Sequence, residues 1–274
     1  MKNILITGCS KGGIGYDTAH FLKERGFRVL ATCKKEKDCE ILKNEGFESH
    51  TIDLNDSKSI KEGFLWALYK SNHKIDALFN NGAYGQPGAV EDLSRETLKE
   101  QFETNVFGTQ ELTNLVIKQM RKQGYGKIIY NSSVLGFVSM KYRGAYNSSK
   151  YAIEGLCDTL RLELYRSDID IVLIEPGPIK SRFRENALEK FLKNIDIKSS
   201  PHKEIYQKTL DRLNSKKDAP FTLEARAVSE VVLKILKSKN PKPRYLITTP
   251  TKVFWYLKKI LSTKMMDKIL RSVD

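Results

Sequence analysis

Cysteine is scarce in this 274-residue chain. Cys9, Cys33, Cys39 and Cys157 form no C-x-x-C pair, and no histidine cluster accompanies them. That spacing excludes a zinc site or a disulfide framework and leaves reduced thiols in a cytoplasmic compartment as the natural reading. Long uncharged apolar runs are missing too, and none approaches the roughly 18 residues of a membrane span. No targeting segment is expected, because Met1-Lys2-Asn3 leads straight into Ile4-Leu5-Ile6, far too brief for the core of a signal peptide. Repeats, low-complexity stretches and an interdomain linker are absent. So are the helix-turn-helix, zinc and RNP signatures that would give a basic chain a specific nucleic-acid partner.

What is present is an ordinary globular composition, 40% apolar and 29% charged. The net charge of +14 is unevenly placed. Residues 201–274 carry 17 Lys/Arg against 7 Asp/Glu, whereas residues 1–200 carry 30 against 26. A basic C-terminal quarter attracts nucleic acid, anionic lipid or nothing specific.

Short β-branched runs at 3–7, 28–31, 48–52, 75–79, 126–131, 169–174 and 244–247 alternate with segments of helical period. Those segments fall at 15–25, 36–44, 57–71, 96–122, 145–165 and 223–239. Strands alternating with helices predict βαβ units, and right-handed crossovers then build an α/β, doubly wound parallel sheet of seven strands with helices on both faces. The expected organisation is one domain over 1–250, a lid at 183–221 that breaks the alternation, and a basic amphipathic helical extension over 251–274. A segment of the lid's length either covers a binding site or caps the core as a helical pair.

Two motifs point to chemistry. In Tyr146-Asn147-Ser148-Ser149-Lys150 a phenol and an ammonium share one helical face. A free Tyr titrates near pKa ~10, and a neighbouring cation lowers that value, which suits Tyr146 to proton transfer. The turn Thr7-Gly8-Cys9-Ser10-Lys11-Gly12-Gly13-Ile14-Gly15 lies between a strand and a helix, where glycines let the backbone approach a pyrophosphate.

These motifs together resemble the short-chain dehydrogenase/reductase family and its Rossmann fold. The family fingerprint T-G-x-x-x-G-x-G aligns through Gly8, Gly13 and Gly15 with one inserted residue, so a slightly longer turn is expected, altered from Ser10 to Gly12, and the resemblance implies cofactor contacts from Gly8, Ser10, Lys11, Gly13, Ile14 and Gly15. Asn131-Ser132-Ser133 ends the fifth strand, and Ser133 precedes Tyr146 by the family's 13 positions. The resemblance implies that Ser133 holds a carbonyl oxygen beside Tyr146, that Tyr146 donates the proton, and that Lys150 lowers its pKa and binds the nicotinamide ribose. It also implies that Asn105 holds a water serving Lys150, and it leaves Ser132 a structural role.

At the cofactor end, Asp53-Leu54 implies an adenine contact, and Asn80-Asn81-Gly82-Ala83 stands where the family has N-N-A-G. Ala83 then takes a glycine position and requires a negative φ. Pro176-Gly177-Pro178-Ile179-Lys180-Ser181 matches the segment in which Ile179 and Ser181 contact the nicotinamide amide. NAD enzymes place an acid at the end of the second strand; here Lys34 and Lys35 follow Cys33, and Lys11 is a further cation. NADP(H) is the expected cofactor.

Within the family the chain looks most like the retinol-dehydrogenase and 17β-hydroxysteroid-dehydrogenase-like branch and bacterial NADP-dependent aldehyde reductases. The resemblance implies a small apolar carbonyl or alcohol substrate, with Phe183, Leu188 and Phe191 lining a lid or packing in the core. It also implies a homo-oligomer, since members pair through the helices holding Asn105 and Tyr146. The alternative is a catalytically silent NADP(H)-binding sensor. Over 251–271, Val253, Phe254, Leu257, Ile260 and Leu261 recur at helical spacing among lysines. That stripe packs on the protein's own core or a partner subunit, or it meets an anionic membrane as a weak peripheral contact.

Overall fold

The computed structural model describes residues 1–215 and 217–273; Lys216 of the expected lid and Asp274 of the expected extension lie outside the described residues. The seven β-branched runs become β1 (Asn3–Ile6), β2 (Arg28–Cys33), β3 (Glu48–Thr51), β4 (Ala77–Asn80), β5 (Gly126–Asn131), β6 (Ile169–Pro176) and β7 (Arg244–Ile247). All neighbours pair in parallel, in the order β3-β2-β1-β4-β5-β6-β7. Strand order reverses between β1 and β4, which opens a crevice at the C-terminal strand ends.

The helices are α1 (Ile14–Lys23), α2 (Glu36–Asn44), α3 (Ser57–Lys70), α4 (Arg95–Phe102), α5 (Thr109–Gln123) and α6 (Gly144–Glu163). They continue as α7 (Phe183–Asn194), α8 (Lys203–Asn214), α9 (Arg226–Lys237), α10 (Thr249–Ile260) and α11 (Thr263–Arg271). Successive strand side chains point to opposite faces. Ile4 and Ile6 therefore join one core with Leu22, Leu42 and Val232, while Leu5 joins the other with Ile60, Val116 and Ile153. Burial on both faces is why these strands read as near-continuous apolar runs.

Three departures from the sequence pattern have local causes. The expected helix 96–122 is split by a π-helical turn, Glu103–Gly108. There Asn105 bonds the Tyr84 backbone in both directions, and Gly108 presses so close that an added Cβ would lie 1.8 Å from the Leu54 carbonyl oxygen. The expected helix from 223 starts later, at Arg226, because the Leu223 backbone pairs with Pro178 and Lys180 instead. The stripe over 251–271 is two helices, since Leu261 turns extended and the Ser262 hydroxyl caps α11 through the Met265 N–H.

The expected lid is a helical pair. Phe191 of α7 and Tyr206 of α8 are buried edge to face, 5.1 Å between ring centres. The Tyr206 hydroxyl accepts from the Ala89 N–H at 2.9 Å, fastening the pair to the loop after β4. The C-terminal helices pack inward as well: Phe254 and Met266 join Val134, Leu135, Phe137 and Val138, with Leu257 and Leu261 against them. Val253 and Ile260 stay outside, 47% and 78% exposed. Among the described residues no helix is long and apolar enough to cross a membrane.

Truncating Phe254 to alanine removes the aromatic anchor of α10 and should cost about 3 kcal/mol. Urea unfolding of Phe254→Ala measures this, and an unchanged midpoint would place α10 outside the cooperative core.

Candidate active site

The crevice between the β1 and β4 ends is built from backbone pressed against backbone. Gly8 has φ +70, and a Cβ there would lie 2.8 Å from Gly82 Cα. A Cβ on Gly15 would meet the Gly8 carbonyl oxygen at 2.6 Å and the Asn81 amide at 2.7 Å. Any side chain at either position would close the cradle, as expected for a turn meant to admit a pyrophosphate at the α1 N-terminus. Gly13 is the N-cap of α1, and its N–H donates to the Ser10 carbonyl at 3.1 Å; that small loop takes up the inserted residue. The Ser10 hydroxyl donates to Asp38 at 2.9 Å, Ile14 packs against the core, and Lys11 is exposed.

The loop after β4 is tied to this turn. Thr7 Oγ1 accepts from the backbone N–H groups of Asn81 and Gly82 at 3.0 and 2.9 Å. The Asn80 amide donates to Thr113 at 2.9 Å and anchors the strand end to α5. Ala83 is not among the residues of positive φ, so the exchanged N-N-G-A order carries no backbone strain there. At the end of β2, Lys34 is exposed and pairs with Asp53 at 3.2 Å, while Leu54 is buried beneath Gly82. The expected phosphate cation and the expected adenine contact thus already touch each other.

Ser133, Tyr146, Lys150 and Asn105 come together at the other side of the crevice. Lys150 is only 4% exposed; its Nζ donates to the Asn131 carbonyl at 2.7 Å and lies 5.6 Å from the Tyr146 ring centre. Asn131 in turn donates to Asn81, and Asn81 to the Thr7 and Gly8 carbonyls, which links the ammonium to the glycine turn. Burial pushes the Tyr146 phenol up to about 12, with the Ser133 hydroxyl and the Arg143 charge pulling the other way. Burial also lowers Lys150 to about 8, against the pull of Glu154 and Cys157. The lowered phenol expected from the Tyr-Lys spacing is therefore not what this structure has, because desolvation of both groups outweighs their proximity. Ser133 is buried and its Oγ accepts from the Leu135 N–H at 3.1 Å. Both ends of the Asn105 amide are engaged, by Tyr84 and by Ser149 at 3.0 Å, so its side chain braces the loop over the site.

Phe183 covers Tyr146 edge to face at 5.2 Å, and a Cβ on Gly85 would strike Phe183 at 2.5 Å. Gly177, after Pro176, lies so close to Thr248 that a Cβ would be 2.3 Å from its hydroxyl. Thr248 is itself strained at φ +82, a conformation costing about 1–3 kcal/mol. Ile179 packs in the core, and Ser181 Oγ lies 3.4 Å from the Ile179 carbonyl.

Several residues with a place here carry no motif. Arg182 lays its side chain 3.3 Å from where a Gly12 Cβ would be. Glu154, one helical turn past Lys150, accepts from the Ser132 hydroxyl and pairs with Arg244. Arg244 also holds Glu175 and both oxygens of Asp158, and stacks on Trp255. Helical spacing from Lys150 could have singled out Glu154; nothing local marks Arg244.

The short chain dehydrogenase family model matches residues 2–191. The chain is 38% identical over 270 residues to the uncharacterized oxidoreductase YbbO of Escherichia coli (strain K12), covering 98% of this chain and 94% of that protein. It is 31% identical over 271 residues to the 3-ketodihydrosphingosine reductase of Bacteroides thetaiotaomicron, covering 98% and 96%. A short-chain dehydrogenase structure from Streptomyces avermitilis superposes with a TM-score of 0.77 at 21% identity, covering 100% of this chain and 98% of that one.

Proposed function

The chain belongs to the short-chain dehydrogenase family, and on that premise we propose that it is an NADPH-dependent reductase of apolar aldehydes or ketones. The observation that carries this reading is the Tyr146 phenol beside Ser133, under Phe183 and backed by a buried Lys150. NADPH supplies a hydride when bound; everything else falls to the chain's own side chains. Ser133 donates to the carbonyl oxygen and aligns it with Tyr146. A phenol with a pKa of about 12 holds its proton throughout neutral pH, so the resting site is set to donate, the form that reduction requires. As the proton leaves, the Lys150 ammonium offsets the charge on the phenolate. Alcohol oxidation would use the same groups in reverse.

The glycine cradle of Gly8, Gly15 and Gly82 fits a dinucleotide pyrophosphate, a fit supported by the space that a Cβ would fill. Preference for NADP(H) rests on Lys34 and Lys35 at the end of β2, where an acid would bind an unphosphorylated ribose. An apolar substrate is supported by Phe183 over the phenol, and a carbonyl by the relative named a 3-ketodihydrosphingosine reductase. Pairing of subunits through α6 and the π-helical turn that holds Asn105 is supported by Phe107 on the turn and by Tyr151 and Leu162 on α6, which are large and exposed. The four buried, unpaired cysteines support a cytoplasmic setting.

Tyr146→Phe keeps the ring under Phe183 and removes the proton, so turnover of a test aldehyde should vanish while NADPH binding survives. Wild-type-like turnover would refute the role of Tyr146, and a wild-type chain that binds NADPH yet reduces no aldehyde or ketone of any chain length would be a sensor instead. Lys34→Ala should weaken NADPH about tenfold and leave NADH unchanged, as loss of one charge-assisted contact predicts; fluorescence titration checks it. The pH profile follows from Lys150. Half of its charged form is lost at about 8, so kcat/KM for reduction should fall as pH rises through about 8, with Tyr146 still protonated. Glu154 raises that pKa, so Glu154→Gln should move the fall to lower pH. A profile flat to pH 10, or one unmoved by Glu154→Gln, would contradict this account.

A further inference from the structure

We propose that the outward face of α10, continued by α11, docks on anionic membrane lipid. Val253, Tyr256 and Ile260 recur at three- and four-residue spacing, so they form one stripe. They are 47%, 62% and 78% exposed, although the same helix buries Phe254 and packs Leu257 inward. Met265, at the start of α11, is 53% exposed as well. The fold thus covers only part of the apolar surface of α10.

Cations frame the free side. From 249 to 273 the lone acid is Asp267, against five lysines and Arg271. Lys258 is turned inward to the Phe137 carbonyl, but Lys252, Lys259, Lys264 and Lys268 are exposed. Among the described residues, Lys252, Lys264 and Lys268 make no ion pair. An apolar stripe edged by unpaired lysines matches the boundary between acyl chains and anionic headgroups, where such a helix lies in the membrane plane. A second copy is a poorer occupant, because a two-fold contact would set this patch against itself and bring its lysines together. Nucleic acid would answer the lysines and leave Val253 and Ile260 against phosphates.

The docking surface stands on its own residues. Its use in taking an apolar carbonyl from the bilayer rests on the reductase reading, through the packing of α10 on the loop that follows Ser133.

The test is co-sedimentation of the full chain with phosphatidylcholine vesicles and with vesicles that also contain phosphatidylglycerol, at low and high salt. Pelleting is expected with the anionic vesicles at low salt, with loss at high salt. Replacing both Lys252 and Lys259 by Gln should lower the partition about 25-fold, from about fivefold per cation, and Ile260→Asp should lower it at least as far. These positions are exposed, so folding and turnover of a water-soluble aldehyde should be unchanged; loss of turnover would bear on the reductase reading and pelleting on the docking. No pelleting at low salt, or equal pelleting with both vesicle types, would overturn the proposal. So would undiminished vesicle binding by Ile260→Asp, and a dimer-to-monomer change in that variant by light scattering with undiminished binding would give the face to a second copy.

Discussion

Burying one ammonium organises much of this molecule. An unpaired charge inside a protein is costly, and its neighbours must replace the water it has lost. Lys150 finds one partner in the Asn131 carbonyl and a compensating charge in Glu154, one turn along the same helix. The first partner is held through Asn81 to the glycine turn, and the second through Ser132 and Arg244 to β6 and β7. Both the nucleotide cradle and the C-terminal strand are therefore braced against the same side chain.

The walls of the crevice are set by close approach rather than by large side chains. Gly8 against Gly82, Gly15 against Gly8, and Gly108 against Leu54 each leave no space for a Cβ. Such contacts bring β1, β4 and the π-helical turn within backbone distance, and the turn in turn presents Asn105 to Tyr84. The apolar roof is then a separate matter. It comes from Phe183 and the α7–α8 pair, whose own core is distinct from the two that sandwich the sheet. Separating rigid floor from added roof lets a shared scaffold accept different substrates by changing the roof alone.

The sheet was legible because buried parallel strands leave short β-branched runs, and every strand expected from them is present. The meeting of Ser133, Tyr146 and Lys150 was legible too, because two of the three share a helix and the third lies two residues past the end of β5. The electrostatics were not. Spacing shows that Lys150 can neighbour Tyr146, but only burial shows that desolvation dominates both groups. The split of the long helix was equally hidden, since the Asn105 bonds that accompany it reach to Tyr84, 21 residues away. Arg244 lies 90 residues from Glu154, and no local pattern connects them. Helical period suggested that residues 251–271 were amphipathic, yet it could not assign which apolar residues the core would take.

The cluster around Lys150 holds three cations, Lys150, Arg244 and Arg161, and three carboxyls, Glu154, Glu175 and Asp158. Burial pushes Glu175 up to about 8, with Glu154 raising it further, and its second oxygen has no hydrogen-bond partner among the described residues. Desolvation thus favours the protonated form of Glu175. The cluster's charge bears on Tyr146, because a phenolate there would be a further buried negative charge. A more negative cluster would oppose that phenolate, and a more positive one would favour it. Near pH 8 either Lys150 or Glu175 can release a proton, and each release makes the cluster more negative by one charge, so the first opposes the second. Desolvation, rather than the proximity of one lysine, is what holds the Tyr146 proton at rest.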